Sequence, residues 1–387
     1  MSGRRVIPNA VPHLGGNEWK YVKECLDTNW VSSAGPFVER FEREMAAYVG
    51  VPHAVAIVNG SAALQLALHA AGVRPDDEVL LPTLTFIASA GAIAHCGAQP
   101  VFLDVEPVAW GIDPDKVADF LTRECEIRDG AVIDRATGRR VSALMPVHLY
   151  GHPCDLDPLL EICRRWPLAM VEDATESLGA LYRGRRVGAD GSSGCLSFNG
   201  NKIITAGGGG MVLTRDTAIA ARVRSLSTQA RSDPLEWVHD EIGFNYRLTN
   251  LQAAVGAAQL EQLEDFLDRK RQTALAYTKA FERVDGVTPF REAPWARTNW
   301  WLPTVLLDPR RCPDVRALIR DLNADGVQVR PLWHPLHRQP PFRGARVGRA
   351  IEVADRLWDR GLCLPSSVGI TAEERQTVID ALVARLA

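Results

Sequence analysis

Short apolar runs recur along the first half of this chain, each followed by a turn and then a helical pattern, and that alternation leaves few folds open. Ala54-Val55-Ala56-Ile57-Val58 is followed by Asn59-Gly60-Ser61 and a helix beginning at Ala62. Glu78-Val79-Leu80-Leu81-Pro82 leads through Thr83 to Ala88 into another helix, and further runs follow at Pro100–Asp104, Ser142–His148 and Pro167–Val171. Repeated strand–helix units of this kind predict an α/β fold with a mostly parallel sheet covered by helices on both faces. Its ligands sit outside the carboxyl ends of the strands. With 387 residues the chain has room for two or three units of about 150 residues. The spacing predicts a large domain over residues 1–264, with a polar hairpin insertion near 122–142. A charged connector helix from Asp265 to Phe281 opens a smaller α+β domain over 265–387, with Trp300-Trp301-Leu302-Pro303-Thr304-Val305-Leu306-Leu307 as one of its strands.

The stretch Ser197-Phe198-Asn199-Gly200-Asn201-Lys202-Ile203-Ile204-Thr205-Ala206, running into Gly207, Gly208, Gly209 and Gly210, carries the strongest chemical signal. Four consecutive glycines suit neither a helix nor a strand interior. A lysine held just before them, after the apolar run Gly194–Phe198, loses part of its preference for the charged form, so Lys202 is a candidate Schiff-base nucleophile. A surface turn residue is the plain alternative. A pyridoxal phosphate site needs partners, and candidates are present. Asn59-Gly60-Ser61 at a strand-to-helix turn has the free N–H groups and dipole end that grip a phosphate, or else Ser61 is only a helix cap. Phe86, just after a strand end, is placed to stack on a flat ring unless it is core. Asp173, at the end of an apolar strand, needs a cationic partner, either a pyridine nitrogen or a structural ion pair.

Composition narrows the class. The formal charge of −3, with 46% hydrophobic and 24% charged residues, argues against nucleic acid as partner. The start, Met-Ser-Gly-Arg-Arg-Val-Ile-Pro, has no apolar run behind its arginines, and no stretch approaches a membrane span, so the expectation is a cytoplasmic protein without a membrane anchor. Eight scattered cysteines without a Cys-x-x-Cys pair read as buried thiols. His334 and His337 have metal-like spacing, but Pro335 between them and the lack of an acidic neighbour set a metal site aside.

Taken together, Asn59-Gly60-Ser61-Ala62-Ala63-Leu64, Pro82-Thr83-x-Thr85-Phe86, Glu172-Asp173-Ala174-x-Glu176, Ser197-Phe198-x-Gly200-x-Lys202 and Gly243-Phe244-Asn245-Tyr246-Arg247 resemble the DegT/DnrJ/EryC1/StrS sugar aminotransferases, of PLP fold type I. The resemblance runs from about residue 7 to the end. It implies pyridoxal 5′-phosphate as cofactor, with Lys202 as the catalytic residue that binds it and shuttles a proton. It implies Asp173 on the ring nitrogen, Phe86 stacked on the ring, and Glu176 near the phenolic oxygen where the family often has Gln. Ser61, Ala62 and Ser197 would contact the phosphate. Asn245 would reach it from the partner subunit, making a homodimer with the active site at the subunit interface. L-glutamate would donate the amine, and a nucleotide-linked keto sugar would collect it at C4. For sugar or diphosphate contacts the candidates are His148, Arg247, Arg330, Trp333 and His337.

Within the family the wording is most similar to the legionaminic-acid and bacillosamine-type enzymes, whose acceptor is a UDP-linked 4-keto-6-deoxy-N-acetylhexosamine. Alternatives are a GDP-perosamine-type or 8-amino-sugar-acid aminotransferase. More distant are a sugar dehydratase on the same fold, which the presence of Lys202 disfavours, and a non-catalytic binding protein. A dinucleotide-binding Gly-x-Gly-x-x-Gly after the early strand and a P-loop are both absent from the sequence.

Overall fold

The strand Glu78–Pro82 is buried at every position, because helices cover both faces of the sheet to which it belongs. In the computed structural model, which describes residues 6–233 and 235–386, the large sheet runs in the order His53–Ile57, Gly210–Thr214, Ser193–Ser197, Ala169–Asp173, Arg140–Leu144, Glu78–Pro82, Gln99–Leu103 and Arg346–Val347. From Ser193–Ser197 to Arg346–Val347 neighbours are parallel, and Gly210–Thr214 is antiparallel to both of its neighbours. The start Met1–Arg5, expected to carry no targeting segment, and Ala387 lie outside the described residues. Among the described residues no helix is long and apolar enough to cross a membrane.

Alternation along each strand divides the core. Val79, Leu81, Ala143, Val171 and Cys195 pack on one face with the helices Gly60–Ala70, Ala88–His95 and Thr217–Ser227. Leu80, Leu144 and Met170 pack on the other with Pro114–Glu124 and Leu156–Arg165. The helices begin where the sequence supplies caps. Asn59 accepts the Ala62 N–H at 2.8 Å, and Thr249 and Gln252 form a capping box at the start of Asn250–Leu260. The polar 122–142 region is a hairpin, Cys125–Arg128 with Ala131–Asp134, whose second strand pairs antiparallel with the start of Arg140–Leu144.

Beyond the helix Leu263–Phe281, a four-stranded antiparallel sheet (Val287–Pro289, Thr304–Leu307, Gly361–Cys363, Arg330–Pro331) carries the helices Val315–Ala324 and Ala372–Leu386. The Trp-Trp-Leu run departs from its expected strand. The strand starts at Thr304, and Trp300 has φ of 54°, a left-handed conformation that stops an extended chain. Two pairings join the parts of the chain before and after the helix Leu263–Phe281. Ile7 bridges to Val327, and Arg346–Val347 joins the edge of the large sheet beside Gln99–Leu103.

Asp104, just past that edge strand, is 3% exposed and accepts the N–H groups of Glu352, Val353 and Ala354 at 2.7–2.9 Å. These are orphan donors of the helix Val353–Arg360. Asp104→Ala strands them in a buried setting and is expected to cost about 2 kcal/mol, read as a lower urea midpoint.

Candidate active site

At the carboxyl ends of the strands Ala169–Asp173 and Ser193–Ser197 lies a cavity of about 250 Å³, and Lys202 projects into it. The glycines behind the lysine have separate reasons. Gly209 has φ of +114°, and a Cβ on Gly210 would stand 2.5 Å from the Asn59 carbonyl, so the chain after Lys202 can return against the turn at Asn59 only without side chains. That closeness brings the Asn59–Ser61 turn, Ser197 and Lys202 to one cavity wall.

Lys202 is mostly buried, and burial lowers the pKa of its amine, with Glu176 and then Asp173 opposing that shift. Its Nζ lies 3.9 Å from Glu176 Oε1 and 3.9 Å from the ring centroid of Trp301, on the face of the indole. Glu176 is held by the Tyr150 N–H at 2.7 Å and the Trp333 indole N–H at 3.3 Å. Asp173 sits behind the lining, its carboxylate accepting from the Ser89 hydroxyl at 2.7 Å and from the Thr175 hydroxyl and N–H at 2.7 and 3.1 Å. Phe86 is 49% exposed at the mouth and meets Trp333 edge-on at 5.2 Å.

Of the residues singled out in the sequence, the structure brings Ser61, Phe86, Glu176, Ser197, Lys202 and Trp333 to this cavity. Ala62 differs. Its N–H is already taken by Asn59, which leaves the Gly60 and Ser61 N–H groups of the first helical turn without a helical partner. Asn245 bridges to Thr228 and Arg247 to Ile57, away from the cavity, with the Arg247 guanidinium 4.0 Å from Glu42.

Two histidines need correction. His148, taken as a sugar contact, is fully buried. Its Nδ1 accepts the Cys154 N–H at 3.1 Å, so Nε2 carries the proton and donates to Glu172 at 3.1 Å. Glu172 also accepts the N–H groups of Gly188, Asp190 and Gly191, so the pair organises a loop. His337 bonds through Nδ1 to the Thr83 hydroxyl at 2.8 Å and lines neither this cavity nor the next.

Arg330 lines a second cavity of about 340 Å³ that shares Phe86 and Trp333 with the first and adds Arg316, His334 and Trp358. The Arg316 guanidinium carbon lies 4.3 Å from the Trp358 ring centroid, and its Nη1 is buried without a hydrogen-bond partner among the described residues. Trp301, Thr175, Ser89 and Arg316 were missed in the sequence. Thr175, two positions from Asp173, had a local signal. The other three arrive from distant segments.

The pattern of the DegT/DnrJ/EryC1/StrS aminotransferase family matches residues 12–383. The chain is 41% identical to GDP-perosamine synthase of Caulobacter vibrioides, with 99% of each chain covered. It is 36% identical to GDP-perosamine synthase of Escherichia coli O157:H7, with 96% of each covered. Among solved structures, DesI in the presence of its TDP-sugar product superposes with a TM-score of 0.88 at 30% identity, over 99% of this chain and 93% of that one.

Burial raises the pKa of Glu176 to about 7, against 4.5 for an ordinary Glu, with the Lys202 charge opposing the shift. Between those values the folded protein holds a proton that the unfolded chain has released, so stability falls as pH rises. Without cofactor, a carboxyl group titrating near pH 7 is expected in difference infrared spectra and should vanish in Glu176→Gln. The wild type should lose up to about 3 kcal/mol relative to that variant between pH 4.5 and pH 7.

Proposed function

This chain belongs to the DegT/DnrJ/EryC1/StrS aminotransferase family, the PLP-dependent sugar aminotransferases, and from that premise we propose that it moves the amine of L-glutamate to the C4 keto carbon of a GDP-linked 4-keto-6-deoxyhexose. The observation that carries the site assignment is the buried Lys202 amine flanked by Glu176 and Trp301 in a cavity whose wall includes a helix N-terminus.

The residues present fit pyridoxal 5′-phosphate. The Gly60 and Ser61 N–H groups and the Ser197 hydroxyl suit a phosphate. Asp173, fixed by Ser89 and Thr175, supplies a carboxylate for a protonated ring nitrogen. Phe86, half-exposed at the cavity mouth, suits stacking on a ring. When bound, the cofactor supplies an electrophilic carbon for an amine and a ring that draws off electrons. Lys202 would hold the cofactor through Nζ, and its amine would take the α-proton of glutamate and return a proton in the second half of the reaction. Its lowered affinity for a proton suits both tasks. Burial favours the protonated form of Glu176 near neutral pH, and its carboxyl group would lie near the phenolic oxygen of the ring.

Arg330 and Trp333 join Arg316 and Trp358 in a second cavity that shares Phe86 and Trp333 with the first, and this arrangement supports an anionic nucleotide held away from the reacting carbon. Binding energy gained there positions the C4 carbonyl. The 41% identity to a GDP-perosamine synthase over nearly the whole of both chains favours a guanosine diphosphate sugar over the UDP-linked N-acetyl sugar suggested by the wording of the motifs. A twofold homodimer completes the site. The hairpin preceding Asn245 presents Leu235, Trp237 and Ile242 to solvent at 82%, 67% and 93% exposure, and such a patch favours a second copy that brings Asn245 to the other cavity.

The test is a two-step spectroscopic exchange. Protein bleached with excess L-glutamate and desalted is mixed separately with the GDP-linked 4-keto-6-deoxymannose and with the UDP-linked 4-keto N-acetyl sugar. Return of the visible band with the GDP sugar, and release of a 4-amino product, is the expected result. Return with the UDP sugar alone overturns the acceptor, and failure to bleach overturns glutamate as donor. Lys202→Ala should abolish bleaching altogether.

A further inference from the structure

Lys270 lies in the middle of the helix Leu263–Phe281 and is 3% exposed, with no acidic side chain within ion-pair distance among the described residues. Its Nζ donates to the Trp301 carbonyl at 2.8 Å and to the Ser366 hydroxyl at 3.0 Å, and that hydroxyl donates to the same carbonyl at 2.9 Å. Burial lowers the pKa of the amine to about 7. A buried amine without a counter-ion is a poor way to stabilise a helix. What this one does is fix one carbonyl from two directions.

That carbonyl belongs to the residue whose indole faces Lys202 at 3.9 Å. Trp301 is 1% exposed, its backbone N–H donates to Asn299 Oδ1 at 2.9 Å, and its indole N–H donates at 2.6 Å to the carbonyl of Asn201, the neighbour of Lys202 in sequence. The preceding residue, Trp300, holds φ of 54°. A bulky side chain keeps that conformation only where its surroundings enforce it. The helix does not depend on Lys270 for docking, since Tyr277 on the same face donates to the Pro365 carbonyl at 2.8 Å and Ala274 is buried between them.

We propose that Lys270 is a positioning residue for Lys202, acting through Trp301, whose clamped carbonyl fixes the indole as the wall that aims Nζ into the cavity. The proposal rests on the reading of Lys202 as the amine that holds the cofactor. Releasing the clamp lets the 299–302 loop relax. The lysine then samples orientations that do not reach the donor, and misplacement of a reacting group by about 1 Å costs on the order of 100-fold in rate.

Lys270→Met removes the amine leg of the clamp, leaves Ser366 without its donor, and keeps the stem. Four quantities are followed: the unfolding midpoint, the rate at which cofactor-free protein takes up pyridoxal phosphate, the rate of bleaching by L-glutamate, and the site labelled after borohydride reduction and peptide mapping. The variant is expected to fold, to be labelled on Lys202, to take up cofactor more slowly, and to bleach about 10- to 100-fold more slowly than wild type. Trp301→Phe should slow bleaching comparably, and the double variant should be no slower than Trp301→Phe alone, because the two act in series. Native uptake and bleaching in Lys270→Met, or effects that multiply in the double variant, overturn the proposal while a label on Lys202 keeps the active-site reading. A label elsewhere overturns both. If Lys270→Met does not fold, Ser366→Ala removes one leg of the same clamp, with about fivefold slower bleaching expected and native bleaching overturning the proposal.

Discussion

An amine that is buried yet close to two carboxylates sets the terms for everything around it. Lys202 could be made neutral by burial alone, or charged by its neighbours alone, and the structure balances the two. Each carboxylate in turn needs donors, because an unpaired buried carboxylate costs more than its attraction to one lysine returns. Asp173 therefore takes Ser89 and Thr175, and Glu176 takes the Tyr150 N–H and the Trp333 indole. Thr175 is local, and the other donors come from an early helix, the 149–151 turn and the segment just after Arg330–Pro331. The demand for hydrogen bonds at one strand end thus ties distant segments into a single site.

This explains what the sequence could show and what it could not. Lys202, Asp173 and the Asn59–Ser61 turn were legible because each sits where a short local pattern changes, from apolar run to glycines, from strand to acid, or from strand to capped helix. The parallel sheet was legible for the same reason. Trp301, Ser89 and Arg316 were not, since their place in the site follows from tertiary packing across more than 80 residues of chain. His148 was a sugar-contact candidate from the resemblance alone, and no local pattern revealed that Glu172, 24 positions on, would take its Nε2 proton inside the core. The Trp-Trp-Leu run misled because aromatic residues favour strands, whereas here Asn299 and the left-handed Trp300 make a loop.

The aromatic residues divide the labour of the site. Trp301 lies on the inner side against the lysine, Phe86 stands half-exposed at the mouth, and Trp333 touches both cavities. Tyr150 supports this set from beneath, its hydroxyl accepting the Trp333 N–H at 2.7 Å while its backbone N–H holds Glu176. One residue in a left-handed turn, with φ of 54°, so registers the acid and the tryptophan against each other.

The strand Arg346–Val347 lies beyond the helix Leu263–Phe281 in sequence but is hydrogen-bonded into the edge of the large sheet, and Asp104 grips the helix that follows it. A door with a second hinge on its opposite edge does not swing. In this subunit the two halves are latched on both sides of the cleft, by the helix Leu263–Phe281 at one end and this strand at the other. The two parts cannot open like a clamshell without breaking one of these joints, and the same rigidity keeps the two cavities in register.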